Sequence, residues 1–136
     1  LIVVDGAAAR PDVDHLIATL ADVVLIPFGP SEQDVQRALR NLAGLPKAIA
    51  LPNRWPTHQA VRKRARSYLG RFPKGQLLEF PFPSIPKLDA WLAEGSYADL
   101  AYEVASPARG LVTEVLGRAG IDPYDLAPVG GRPPGA

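Results

Sequence analysis

The chain has 136 residues, 47% of them hydrophobic, enough for one domain with a sizeable core. It contains no cysteine, which excludes disulfides, thiolate zinc sites and cysteine-ligated iron–sulfur clusters within it, and no run of about 18 apolar residues that would span a membrane. The net charge of +1 conceals an asymmetry: ten basic and no acidic residues lie between Val35 and Leu78, while the remainder carries five basic and all fourteen acidic ones. Such a block steers polyanions toward one face.

In chain order, the first apolar run is Leu1-Ile2-Val3-Val4-Asp5-Gly6, read as a buried strand over Leu1–Asp5 with a carboxylate at its end. Asp12 and Asp14 then suit a helix N-terminus, with Leu16, Ile17 and Leu20 at helical spacing behind them. A second strand is expected over Val23–Pro27. Ser31 and Asp34 resemble a capping box ahead of a helix that places Val35, Ala38, Leu39 and Leu42 on one face. A third strand covers Ala48–Asn53, and a helix after Pro56-Thr57 carries the stripe Val61, Ala65, Tyr68, Leu69 and Phe72. Leu77–Phe82 reads as a fourth strand.

Beyond it, Ser84 is expected to cap a short helix carrying Leu88, Trp91 and Leu92 and ended by Gly95. Tyr97 to Arg118 is expected to be helical with a break near Ser106-Pro107, because proline removes a helical hydrogen bond and clashes with the preceding turn. The glycine- and proline-rich tail 127–136 is expected to be disordered. Strands separated by helices of these lengths imply an α/β fold with a mostly parallel sheet. Residues 1–126 then read as the carboxyl-terminal portion of a single domain.

Each candidate site residue has two readings. Asp5 either caps a turn or orients the water shell of a phosphate-bound magnesium. Asn53 either serves an Arg-Trp-Pro turn or reads a base edge, since its amide both donates and accepts. Arg62, Lys63, Arg64 and Arg66 face away from the apolar stripe with no carboxylate at i,i+4 spacing. They form either a solvated face or a contact for DNA phosphates, an acidic protein or a dimer mate. His15 and His58 are isolated and have no assigned role, and Trp55 and Trp91 are read as packing residues.

Four segments in this order resemble the ParA/MinD group of deviant Walker ATPases. LIVVDGAA is similar to that family's switch segment, ADVVLIPFGPSEQDV to its apolar strand, proline and following helix, AIALPNRW to the strand ending in the adenine-reading asparagine, and EFPFPSIPKLDAWLAEGS to the segment that closes over the nucleotide. The resemblance covers the chain to about Leu126 but only the second half of the family's P-loop NTPase domain. It departs at Gly6-Ala7-Ala8, where the family carries Thr, Ser or Cys and then Pro or Gly. No G-x-x-x-x-G-K-[ST] loop occurs in the 136 residues. The chain has no methionine, which suggests a fragment, a processed product or a partly observed protein; the resemblance implies that the missing half with its phosphate loop exists on the same polypeptide or in the intact protein.

The resemblance implies a slow ATPase, active only with that loop, that dimerises on ATP, binds DNA nonspecifically and releases it on hydrolysis during partition of plasmids, chromosomes or other cargo. It implies ATP and Mg2+ as cofactors, Asp5 (through water) and Gly6 in the switch, Asn53, Pro83, Ser84 and Ile85 around the base, and Arg62, Lys63, Arg64 and Arg66 on DNA. The implied partners are a homodimer mate, nonspecific DNA and a ParB-like or cargo adaptor, on the cytoplasmic bacterial nucleoid. Membrane targeting is disfavoured because the chain ends in Gly-Arg-Pro-Pro-Gly-Ala rather than a basic amphipathic helix. Alternatives are a noncatalytic DNA- or protein-binding module on this fold, and a small-molecule ligase of the dethiobiotin synthetase type, which would not need the basic block.

Overall fold

A computed structural model describes residues 1–6, 10–94 and 102–122, apart from the side chains of Asp89 and Trp91. The described part is mixed α/β: α1 (Pro11–Leu20), β1 (Val24–Phe28), α2 (Glu32–Gly44), β2 (Ala48–Pro52), α3 (Gln59–Leu69), α4 (Leu88–Glu94) and α5 (Tyr102–Arg118). β1 and β2 pair in parallel, with Val24 opposite Ala48 and Phe28 opposite Pro52. All five residues of β2 are buried, as expected for a strand covered on both faces.

The side chains of β2 alternate between two cores. Ala48 and Ala50 join Ile26, Phe28, Trp55 and Phe72 under Val35, Ala38 and Leu42 of α2 and Ala65 of α3. Ile49 and Leu51 join Leu78 on the opposite face, against Leu111 and Val115 of α5. Helix α2 begins where expected, because the Ser31 hydroxyl oxygen accepts from the Asp34 amide at 3.2 Å and donates to the Asp34 carboxylate at 2.7 Å.

The fourth expected strand is interrupted. Leu77 bridges Ala50 and Pro83 bridges Trp55, both in parallel, without a continuous ladder between them. Ala50 donates to Gln76 at 2.8 Å and accepts from Leu78 at 2.9 Å. The next residue of β2 facing this segment is Pro52, which has no N–H to donate to the Leu78 carbonyl. Pairing resumes only when the Phe82 amide reaches the Pro52 carbonyl at 2.8 Å.

Three expectations are corrected. Leu1–Asp5 is not a strand among the described residues: Leu1, Ile2 and Val3 are 83%, 88% and 87% exposed, and no ladder forms because no described strand lies beside them. Ser84 does not cap α4, which begins at Leu88, because its amide donates to the Trp55 carbonyl and keeps it in the bridged segment. Helix α5 runs unbroken through Pro107, and the residue whose carbonyl loses its donor there, Glu103, is exposed to water. The apolar stripe of α1 is also poorly used, with Leu16 and Leu20 exposed and only Ala18 buried. Gly95 and the tail 127–136 lie outside the described residues.

The two flanks of the sheet differ. Val24 donates to Lys47 and Phe28 accepts from Asn53, so alternation turns the backbone groups of Leu25 and Pro27 away from β2. Among the described residues, no strand meets them. On the other flank, α5 covers the outward groups of the bridged segment. Arg118 donates to the carbonyls of Gly75 (2.7 Å) and Leu77 (3.4 Å), and Glu114 accepts from the amide of Glu79 (2.7 Å).

Candidate functional site

Residues 53–55 leave the end of β2 through a turn held on both sides. The Asn53 amide donates to the Phe28 carbonyl at 2.8 Å, the Trp55 amide to Phe82 at 2.9 Å, and the Ser84 amide to Trp55 at 2.9 Å. Trp55 is buried at 3% exposure and meets Phe28 edge to face, with ring centroids 5.8 Å apart. This anchoring brings two segments thirty residues apart in sequence to one recess. It measures about 320 Å³ and is lined by Asn53, Arg54, Phe82, Pro83, Ser84 and Ile85 on the turn side, and by Pro86, Leu88 and Leu92 toward α4.

The lining is two-sided. Asn53, Arg54 and Ser84 line the recess together with aliphatic, aromatic and proline residues, a mixture that suits a flat ligand with a polar edge. Asn53, Pro83, Ser84 and Ile85 are therefore neighbours around one concavity. Arg54, Phe82, Pro86, Leu88 and Leu92 also line it and were missed by sequence reasoning. For Arg54 the available signal was its place between Asn53 and the Trp-Pro pair.

A second recess, about 450 Å³, lies on α3 and is lined by Thr57, Gln59, Arg62, Lys63 and Arg66. Arg64 is exposed but does not line it, because the helical rotation of 100° per residue carries position 64 to the other flank of the buried Ala65 stripe. Among the described residues, Arg62, Lys63, Arg64 and Arg66 form no ion pair, and the first turn of α3 holds no acidic residue. His58 precedes this helix without a side-chain capping bond. The three converging cations form an uncompensated positive surface.

Asp5 and Gly6 are not part of either recess. They stand in the exposed first segment, where a Cβ on Gly6 would lie 3.3 Å from Asp14 Oδ1, a buried oxygen with no hydrogen-bond partner among the described residues. Among the described residues, no group of three or more metal-ligating side chains occurs. The mixed lining of the first recess is compatible with the base end of a nucleotide, and Asp5 lies apart from it. No described helix is long and apolar enough to cross a membrane.

No protein-family model, curated protein or solved structure matches the chain.

Proposed function

We propose that the chain is the base-binding and DNA-binding portion of a ParA-like, nucleotide-dependent protein that partitions DNA or cargo on the bacterial nucleoid. The observation that carries this reading is the convergence of Asn53 with Pro83, Ser84 and Ile85 on one recess, as the order of segments in the sequence leads one to expect. The Asn53 amide pairs with the donor and acceptor of an adenine edge, and the carbons of Phe82, Ile85, Leu88 and Leu92 cover the ring.

Arg62, Lys63 and Arg66 take successive phosphates of duplex DNA, with no aromatic side chain in their recess on which an unpaired base could stack. In the intact protein, ATP favours the dimer and the dimer binds DNA. No hydrolytic step is assigned to the residues described here, because phosphoryl transfer needs donors around the β- and γ-phosphates and the chain contains no phosphate loop. Asp5 and Gly6 enter this reading only as the switch segment of the complete domain.

A second reading is a nucleotide-independent DNA- or protein-binding module on the same fold. It is favoured by the exposed setting of Asp5 and the uncompensated cations of α3. Titration of the chain with adenosine and, separately, with duplex DNA at several salt concentrations distinguishes the two. The first reading requires adenosine binding that Asn53→Ala abolishes; its absence beside salt-dependent DNA binding leaves the second.

A further inference from the structure

Two non-glycine residues among those described adopt a left-handed backbone, Lys47 and Arg54, each with φ of 53°. That conformation crowds Cβ against the backbone, and such residues persist where their surroundings over-determine them, often at binding sites. Lys47 has a structural account. Its Nζ donates to the Ala21 carbonyl at 2.7 Å and ties the turn before β2 to the end of α1.

At Arg54 the hydrogen bonds of its neighbours, Asn53 to Phe28 and Trp55 to both Phe82 and Ser84, hold the turn, but they do not account for an arginine side chain there. Its side chain is exposed and lines the Asn53 recess. Among the described residues it meets no carboxylate and makes no hydrogen bond through its guanidinium. Glycine or asparagine would hold this backbone at less cost. An arginine here places a permanently charged, five-donor fork beside a recess whose other polar groups are neutral.

We propose that Arg54 is the anion-contacting residue of this recess and meets the phosphate of a nucleotide whose base lies against Asn53. The inference rests on the base-binding reading above and adds to it the ligand class: a nucleoside phosphate in preference to a free nucleoside. The planar fork binds two phosphate oxygens at once, and no internal carboxylate competes for it among the described residues.

The test uses the whole chain, as wild type, Arg54→Gly and Arg54→Lys, with adenosine and AMP as ligands in calorimetric titrations and with thermal unfolding of the free proteins. Wild type is expected to bind AMP about tenfold or more tighter than adenosine, the size of one charge-assisted bond. Arg54→Gly, which relieves the left-handed strain, is expected to unfold at an equal or higher temperature, keep its adenosine affinity and lose the preference for AMP. Arg54→Lys should retain part of it.

Preserved AMP preference in Arg54→Gly, or equal loss of both ligands, overturns the proposal and leaves Arg54 a strained turn residue. Wild type that takes up adenosine and AMP equally refutes the role of Arg54 alone. Wild type that binds neither refutes the base-binding reading and this inference with it.

Discussion

The carboxylate of Glu114 accepts a hydrogen bond from the backbone amide of Glu79 at 2.7 Å, so a side chain of α5 stands where a neighbouring strand would supply a carbonyl. Arg118, one helical turn on and 3.7 Å from Glu114, supplies the complementary donors to Gly75 and Leu77. Replacing Glu114 by alanine leaves the amide of exposed Glu79 to water and should destabilise the fold by about 0.5–1.5 kcal/mol. Glu114→Gln keeps an acceptor and should lose less. Urea unfolding measures both, and identical midpoints for wild type and Glu114→Ala would sink the edge-covering role.

Arg71 grips Glu32 through two bonds of 2.7 and 2.9 Å, joining the end of α3 to the start of α2. The guanidinium, and after it the Gln36 amide, holds the Glu32 carboxyl below its ordinary value of 4.5. Because the folded value is depressed, the stabilisation is complete above pH 4.5 and disappears as pH falls through the folded value. Arg71→Ala should therefore lower the melting temperature at pH 7 and flatten its fall below about pH 4.5. The residual slope includes Asp12, whose carboxyl Arg10 lowers in the same way. An unchanged acid limb in Arg71→Ala would contradict the assignment. The pair is exposed, so salt should weaken it.

Gly29 lies against the Asp34 carboxylate at the capped end of α2. A Cβ there would come within 2.9 Å of the Asp34 Oδ2 that the Ser31 hydroxyl holds. Gly29→Ala should displace the carboxylate and cost about 1 kcal/mol, comparable to loss of a cap. Combining it with Ser31→Ala should add little, since both remove one arrangement. Additive losses in the double mutant would show that Gly29 acts elsewhere.

Phe28 joins the two aromatic contacts beneath the Asn53 turn, edge-on to Trp55 and stacked on Phe72 at 4.5 Å. Phe28→Ala should cost about 3–5 kcal/mol and shift Trp55 emission to longer wavelength as water enters. Adenosine binding should weaken together with stability, because the turn loses its support. Wild-type stability in this variant would mean that the cavity collapses at no cost.

The parts of the fold that could be read from sequence are those in which local pattern and burial agree. β2 is apolar throughout because both of its faces are covered, and α2 combines a cap at Ser31 with a stripe of Val35, Ala38 and Leu42. Leu1–Val4 is as apolar as β2 yet stays exposed, because an apolar run records a capacity for burial and not the partner that completes it. The broken pairing near Pro52 depends on which residues of β2 face that flank, and this follows from register, which composition does not contain. The Asn53 recess was legible only through the resemblance of separate segments. Periodicity alone does not bring Pro83–Ile85 to Asn53, and nothing in the residue type of Arg54 announces a left-handed backbone.

Pro27 gives the outer flank of β1 a polarity. Over this stretch, an approaching chain finds the amide and carbonyl of Leu25 and, at Pro27, a carbonyl without an amide. A carbonyl presented opposite that position stays unanswered, so a chain sliding along the flank gains full pairing at Leu25 and meets a gap two residues later. Among the described residues, β1 thus offers an edge interrupted at one donor position, a poorer template for an extended peptide than an unbroken strand.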